Sequence, residues 1–278
     1  MLLYRTQSGV VLHAGEQWFG IDRPWDELVN DDALASYLRS QAGSQTPDAA
    51  LAAAARRPLA PLGVQEVWAA GVTYLRSRTA RMEESQTAGG GDFYDRVYHA
   101  ERPEIFFKAT PHRVASPSQA MRLRSDSKWI VPEPELVLAI TRGGTIVGYT
   151  AGNDLSCRDI EGENPLYLPQ AKTFDRCAAL GPALLVAEEP LSPETAIKLT
   201  VRRDAQPVVD DATTLGRMKR SLAELVGYLF RDNAHPHGVM LMTGTGIIPP
   251  DSFSLQSGDV VEISIDGIGT LTNAMESS

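Results

Sequence analysis

Three carboxylates on two nearby runs are the residues of this chain best suited to chemistry: Glu133 and Glu135 in Val131-Pro-Glu-Pro-Glu-Leu136, and Asp154 in Gly152-Asn-Asp-Leu-Ser156. Between them lie two apolar runs, Leu136 to Ile140 and Ile146 to Tyr149, joined through Arg142-Gly-Gly-Thr145. Gly-Gly between β-prone segments predicts a two-residue hairpin turn, because a type I′ turn needs positive φ at both central positions. With Arg142 facing Thr145, Ile140 faces Val147, Leu138 faces Tyr149 and Leu136 faces Ala151, which makes one apolar face. On the other face Glu135 lies opposite Gly152 and Glu133 opposite Asp154, so the three carboxylates gather within roughly 5–8 Å. Like charges directly opposite one another destabilise a sheet, so something cationic belongs there. Three oxygen donors on a rigid hairpin suit a hard divalent cation such as Mg²⁺, with Mn²⁺ or Ca²⁺ as substitutes. The competing reading is a solvated acidic strand face. Pro132 and Pro134 donate no ladder hydrogen bonds, which predicts an unpaired side or an irregular start to this strand.

The elements that must carry these residues form two units. Residues 1–62 read as a small N-terminal α/β domain, with short strands at Leu2-Leu-Tyr4 and Gly9-Val-Val-Leu12 and helices near Asp31–Ser40 and Pro47–Arg57. Residues 63–278 read as the catalytic unit. It opens with a strand over Val64–Ala70, followed by a charged helix through Glu84. Ala88-Gly-Gly-Gly91 is a flexible break suited to a lid hinge or a plain surface loop. Further strands are expected at Ile105–Phe107, Trp129–Ile140, Ile146–Gly152, Ala183–Ala187, Ala196–Val201 and Val260–Ile265. Helices are expected over Tyr94–His99 and Leu215–Phe230. Many strands with few helices predict an α+β fold around a mostly antiparallel sheet or β-roll.

Composition narrows the partners. The 278 residues carry a net charge of −9, against the basic footprint that nucleic acid requires. No stretch approaches the length of a membrane span, and Met1-Leu-Leu-Tyr-Arg5 lacks a signal-peptide layout. The two cysteines, Cys157 and Cys177, make neither a disulfide framework nor a zinc pattern. A soluble cytoplasmic protein acting on a small molecule is the expectation.

Pro132-Glu-Pro-Glu-Leu136, Gly148-Tyr-Thr150, Asn153-Asp-Leu-Ser-Cys-Arg-Asp159, Lys172-Thr-Phe-Asp175, Gly181-Pro182 and Thr243-Gly-Thr-Gly246 together resemble the fumarylacetoacetate hydrolase superfamily, from about Val67 to Leu271. The resemblance implies a mixed β-sandwich roll and a divalent metal held at Glu133, Glu135 and Asp154. A narrower match lies in Val97-Tyr-His-Ala-Glu-Arg-Pro-Glu104 with the following Ile105–His112, in Arg124-Ser-Asp-Ser127, and in Glu163-Asn-Pro-Leu-Tyr-Leu-Pro-Gln170. These resemble the 2-keto-3-deoxy-D-arabinonate dehydratase branch, which uses Mg²⁺ to remove water from a 2-keto-3-deoxy sugar acid and yields 2,5-dioxopentanoate. That branch's active-site glutamate and lysine map by motif onto Glu104 and Lys172, and the resemblance implies a homodimer or homotetramer. One departure separates branches. Many hydrolases of the superfamily carry Gly-x-Asn-Tyr-x-x-His-x-x-Glu, whose histidine and glutamate activate water. Here Ser77 stands at the histidine and Ala80 at the glutamate, so the usual base is missing. The Glu83–Glu84 pair is the other source of a base.

The chemistry that the resemblance implies fits these residues. A 2-keto acid chelates the cation through its carboxylate and keto oxygens, and elimination then needs a base for a C3 proton and an acid for the C4 hydroxyl. Lys172 is the candidate base and Glu104 its partner, with the two roles open to exchange. Otherwise Lys172 is a salt bridge to the acidic cluster and Glu104 an exposed strand-start charge. Thr243, Gly244 and Thr245 offer amides and hydroxyls to the substrate carboxylate, or form a plain tight turn. Arg158 and Asp159 brace the site, while Phe106 and Asp126 line the pocket. A diketo acid (acylpyruvate) C–C hydrolase or decarboxylase is the alternative activity, and a binding module with a structural cation the alternative class.

Overall fold

The computed structural model describes residues 1–84, 91–187 and 189–277. The Gly-rich break therefore falls, at residues 88–90, outside the described residues, as do the side chains of Ala80, Glu83 and Glu84. The N-terminal segment contains strands β1 (Leu2–Thr6), β2 (Gly9–Ala14) and β3 (Gln17–Ile21), then helices α1 (Trp25–Leu28), α2 (Leu34–Ser44) and α3 (Leu51–Ala55). Next come β4 (Glu66–Gly71), α4 (Leu75–Glu84), α5 (Gly91–His99), β5 (Glu104–Ala109), β6 (Val114–Ala115) and β7 (Met121–Leu123). The acidic region comprises β8 (Ile130–Val131), β9 (Pro134–Ile140), β10 (Ile146–Asp154), β11 (Ser156–Cys157), α6 (Arg158–Glu163) and α7 (Leu168–Lys172). The remainder is β12 (Ala178–Leu185), β13 (Ala196–Arg203), β14 (Gln206–Thr214), α8 (Leu222–Leu229), β15 (Val239–Met242), β16 (Val260–Ile265) and β17 (Gly269–Ser277).

Two sheets result. The larger runs β3-β2-β1-β12-β10-β9-β15-β4-β5, with β6 alongside β12, and the smaller runs β14-β13-β16-β17-β7. Leu136, Leu138 and Ile140 of β9 pack with Leu199, Ile263 and Leu271 of the smaller sheet, so the two sheets close over one core. Val137 and Ala139, on the opposite face of β9, pack with Leu180, Met240, Trp25, Leu34 and Leu38. That second layer comes largely from the first 62 residues, whose strand β1 pairs with β12 and so extends the larger sheet itself. Strand β9 is covered on both sides, and all seven of its residues are buried. Such a strand reads as a continuous apolar run instead of an alternating one.

The hairpin between β9 and β10 reaches the expected pairing by a different route. Gly144 alone of the two turn glycines has positive φ, at 84°. The Gly144 amide donates to the Thr141 carbonyl at 3.0 Å, and Thr141 N–H donates to Thr145 O at 2.9 Å, which makes a three-residue loop over Arg142–Gly144. The Thr141 hydroxyl explains the choice. It accepts from the amides of Gly143 and Thr145 and donates to Asp32 at 2.6 Å, tying the loop to the N-terminal segment. Ile140 consequently pairs with Ile146, not with Val147. Val147 is bulged out, and the bulge restores the register: Tyr149 faces Leu138, Ala151 faces Leu136 and Gly152 faces Glu135. Beyond the ladder, Asp154 N–H donates to Glu133 O at 3.0 Å. Pro132 and Glu133 separate β8 from β9, the irregular start that two prolines impose.

The single helix expected over Leu215–Phe230 is divided. A 3-10 turn covers Leu215–Arg217, and α8 starts only at Leu222, where Ser221 accepts the Glu224 amide at 3.1 Å as N-cap. The intervening residues are used elsewhere: Met218 bridges Tyr74, and Lys219 N–H donates to Thr73 O at 2.9 Å. That contact anchors the junction between β4 and α4, which borders the carboxylates.

Candidate active site

The cluster forms where several elements end together. Glu133 and Glu135 stand at the start of β9, Asp154 at the end of β10, Lys172 at the end of α7, and Gly244 and Thr245 just beyond β15. One donor oxygen from each of Glu133, Glu135 and Asp154 lies within 4.8 Å of the others. The three residues are between 1% and 4% exposed, so desolvation of their charges has to be offset locally. Arg158 Nη2 donates to Glu133 Oε1 at 2.8 Å. Lys172 Nζ bridges Glu133 Oε2 at 2.8 Å and Asp154 Oδ2 at 3.1 Å, and also donates to Ser156 Oγ at 2.5 Å. Lys108 Nζ lies 2.5 Å from Asp154 Oδ1. The Gly244 amide donates to Glu135 Oε2 at 2.6 Å.

These partners do not fully compensate Glu135. Burial, then the charges of Asp154 and Glu133, raise its pKa well above the ordinary carboxylate value, against the opposing pull of Lys172 and the Gly244 amide. Burial and the neighbouring carboxylates thus disfavour the ionised form of Glu135, which a cation bound beside it would favour. Three buried carboxylates with a donor oxygen from each within 4.8 Å of the others fit a hard divalent cation of the Mg²⁺ type.

The cavity over the cluster is lined by Gly71, Val72, Ser77, Glu104, Phe106, Glu161, Lys172, Gly244 and Thr245 together with the three carboxylates. Among the residues expected from the sequence, Lys172, Glu104, Phe106, Gly244 and Thr245 are thus brought together with the triad. Lys172 Nζ lies 5.7 Å from the centre of the Phe106 ring, a cation–π arrangement that helps hold the ammonium over the carboxylates. Arg158 does not line the cavity but holds Glu133 from behind. Asp159 sits further out, where it accepts from the Ser127 hydroxyl and the Lys128 amide.

Three expectations need correction. Thr243 serves the fold: its hydroxyl donates to Leu136 O at 2.9 Å and its carbonyl accepts from Thr73 Oγ1 at 2.7 Å. The Gly244 amide is committed to Glu135 and is not offered to a substrate carboxylate. Asp126 lies outside the cavity, where Arg124 grips both of its oxygens at 2.5 and 2.9 Å. A short loop of charged residues satisfies itself at the surface, and sequence proximity to the motif was no guide to direction.

Lys108 and Glu161 were missed, and both had a signal. Glu104, Phe106 and Lys108 alternate along β5 and therefore share a face. A lysine continuing the face of two site residues inside an apolar strand is out of place unless it meets charge. Glu161 follows Arg158 by one helical turn on α6 and so points to the same side. Ser77, at the position of the absent histidine, is 6% exposed and donates to Tyr74 O at 2.8 Å. That hydroxyl is spent on the first turn of α4.

Glycine at position 71 decides where Glu104 lies. The two residues pair across β4 and β5, and a Cβ on Gly71 would come 2.0 Å from Glu104 Oε2. The atom it meets is the far end of a flexible side chain, so the carboxylate swings away and the sheet stays intact. Gly71→Ala is therefore expected to displace the Glu104 carboxylate and, where that carboxylate takes part in the reaction, to lower kcat by about 10²-fold, the scale of a 1 Å misplacement. Thermal stability and Mg²⁺ affinity should stay near wild type, and a collapse of either would show that the strand pair, not Glu104, had been disturbed.

Comparison with known proteins places this geometry. The profile for "Fumarylacetoacetate (FAA) hydrolase C-terminal" matches residues 67–276. A probable 2-keto-3-deoxyxylonate dehydratase of Haloferax volcanii is 50% identical over 221 residues, 79% of this chain and 75% of that one. The 2-dehydro-3-deoxy-D-arabinonate dehydratase of Saccharolobus solfataricus is 42% identical over 213 residues, 76% of this chain and 72% of that one. Among solved structures, a 2-keto-3-deoxyarabinonate dehydratase superposes with a TM-score of 0.88 at 33% identity, covering 100% of this chain and 99% of its own. A second, complexed with magnesium and 2,5-dioxopentanoate, gives 0.83 at 32% identity with the same coverage.

Proposed function

The chain belongs to the fumarylacetoacetate hydrolase family, and from that premise we propose that it is a hydro-lyase acting on a 2-keto-3-deoxy sugar acid of the 2-keto-3-deoxy-D-arabinonate type, with 2,5-dioxopentanoate as product. One observation carries the reading within this molecule. Lys172 touches Glu133 and Asp154 and lines the same cavity as Glu104, so a nitrogen and a carboxylate border one space above a cation-binding triad.

Glu133, Glu135 and Asp154 would hold Mg²⁺, which would supply Lewis-acid polarisation of the 2-keto group. The side chains supply the rest. Lys172, held by Ser156 and the carboxylates, moves the C3 proton, and Glu104, steered by Gly71, delivers a proton to the departing C4 oxygen, which leaves a C3–C4 alkene. Isomerisation then gives the product aldehyde with no further change in composition: one C5 proton and the O5 proton leave while C3 and C4 each regain one. The two assignments exchange without change to the overall balance, in which one molecule of water leaves. Phe106 forms an apolar wall beside Lys172, and Arg158 holds Glu133 Oε1 by a hydrogen bond at 2.8 Å. A structural cation site would need neither Lys172 nor Glu104.

The hydrolase alternative lacks its water-activating pair. Ser77 occupies the histidine position and its hydroxyl is bound to the Tyr74 carbonyl, which leaves no base there. Among the described residues no helix is long and apolar enough to cross a membrane. A cytoplasmic homodimer or homotetramer, with Mn²⁺ or Ca²⁺ able to replace Mg²⁺, completes the proposal.

The test is direct. The purified protein with Mg²⁺ and 2-keto-3-deoxy-D-pentonate is expected to give one product that has lost a single water and kept all its carbons by mass spectrometry, and EDTA should stop the reaction. Cleavage of an acylpyruvate into two acids at a far higher kcat/KM would establish the hydrolase instead.

A further inference from the structure

We propose that Lys108 fixes Asp154 as a one-oxygen ligand, and that it thereby helps shape the centre for a small six-coordinate cation in preference to a larger one. This rests on the reading of Glu133, Glu135 and Asp154 as cation ligands. The motivating pattern occurs three times. Each carboxylate has one oxygen held by a partner: Glu133 Oε1 by Arg158 at 2.8 Å, Glu135 Oε2 by the Gly244 amide at 2.6 Å, and Asp154 Oδ1 by Lys108 at 2.5 Å. On Glu133 and Asp154 the second oxygen turns to the cavity side, where both meet Lys172 Nζ.

A carboxylate with one oxygen committed in this way offers a cation the other, which on Glu133 and Asp154 the cation shares with or takes from Lys172. Mg²⁺ requires near-octahedral geometry and takes few protein oxygens, completing its shell with water. Ca²⁺ takes more oxygens and favours carboxylates that bind through both. Three carboxylates limited to one oxygen each therefore suit the smaller ion.

Lys108 is the one partner of the three that also holds the backbone on both sides of the site. It is fully buried, and an ammonium has three protons to donate. Lys108 Nζ donates to the Leu155 carbonyl at 3.0 Å and to the Lys172 carbonyl, and lies 2.5 Å from Asp154 Oδ1 as an ion pair. The Thr173 hydroxyl returns a hydrogen bond to the Lys108 carbonyl at 3.1 Å. One side chain thus ties a cation ligand to the backbone of Lys172, and β5 sets its position through pairing with β4. Lys108 is a positioning residue: it acts through Asp154 and Lys172 without lining the cavity.

If Lys108 merely balanced charge, its removal would alter the binding of every divalent cation alike. The ratio of two affinities cancels that effect and reports geometry. Calorimetry with MgCl₂ and with CaCl₂ on wild type and Lys108→Met supplies the ratio. The expected result is an Mg²⁺ affinity lowered by about tenfold or more, the usual scale for loss of a partner behind a ligand, with Ca²⁺ affinity held or raised. The Mg²⁺-to-Ca²⁺ ratio then moves toward Ca²⁺ by at least about tenfold. An unchanged ratio in a folded variant overturns the role of Lys108 while leaving the triad in place. Absence of binding by either ion in the wild type would instead remove the ligand reading itself. If Lys108→Met does not fold, Lys108→Leu removes the same ammonium and is expected to move the ratio in the same direction, an unchanged ratio again overturning the role of Lys108. If neither folds, the wild type decides: tighter binding of Ca²⁺ than of Mg²⁺ overturns the proposal.

Discussion

Lys172→Met, assayed with saturating Mg²⁺, is expected to lower kcat by about 10³-fold while the variant still binds the cation. The size follows from the ~10²–10⁴-fold that a positioned proton-transfer group contributes. Methionine approximates the lysine stem in volume, and Ala171 and Lys172 are both buried, so the packing of α7 survives. Removal of the ammonium leaves Glu133 Oε2 and Asp154 Oδ2 without a partner that each now has. A cation can take up those oxygens, so Mg²⁺ affinity should hold or rise, and the variant should depend on Mg²⁺ for stability more than the wild type does. The discriminating measurement is exchange of the substrate's C3 protons with solvent deuterium. Exchange at the wild-type rate in Lys172→Met would place the base elsewhere, with Glu104 the next residue to replace.

How far the sequence revealed this site is best judged on the β9–β10 hairpin. The pairing of Glu135 with Gly152 was legible because apolar residues at Leu136, Leu138, Tyr149 and Ala151 admit only one face-to-face arrangement. The turn was not legible. Gly143-Gly144 carries a strong local signal for a two-residue loop, but the Thr141 hydroxyl, bonded to Asp32 more than a hundred residues away in sequence, selects a longer one. A bulge at Val147 then cancels the difference. Local pattern gave the right register through compensating errors, since the two-sided core fixes register more strongly than the turn does. The same cause hid the break before α8. Met218 and Lys219 are satisfied by Tyr74 and Thr73, partners that no local periodicity reports.

Lys108 shows a different limit. Its alternation with Glu104 and Phe106 was visible in the sequence, but its meaning depended on the Asp154 carboxylate and the Leu155 and Lys172 carbonyls, which only the tertiary packing around β5 brings together. Asp126 erred in the opposite sense: close to the motif in sequence, it folds back on Arg124. Charged residues are assigned reliably from sequence when a rigid element sets their direction, and poorly when a loop does.

The triad itself carries the largest expected effect on binding. Alanine at Glu133, Glu135 or Asp154 should weaken Mg²⁺ by more than about 100-fold, beyond the ~10–100-fold cost of losing an outer partner, and should abolish turnover. Glu135→Gln separates ligand loss from packing loss, because the amide keeps the volume and still has an oxygen for the Gly244 amide at 2.6 Å. Its stability should cross that of the wild type with conditions. The Glu135 pKa in the folded protein is raised above the ordinary 4.5, by burial and then by Asp154 and Glu133. Without cation, folding therefore takes up a proton, and the stability linked to that proton is present at low pH and lost as pH rises from about 4.5 toward the raised value. In EDTA, Glu135→Gln should become progressively more stable than wild type over that interval, since the glutamine has no charge to desolvate. With excess Mg²⁺ the order should reverse. The cation binds the ionised wild-type site and adds stability in proportion to RT ln(1 + [Mg²⁺]/Kd), a term that grows with pH as the competing proton leaves. Thermal melts of both proteins across pH, with Mg²⁺ and with EDTA, test the crossing. Parallel curves that never exchange order would mean that Glu135 is neither a cation ligand nor the strained charge of this cluster.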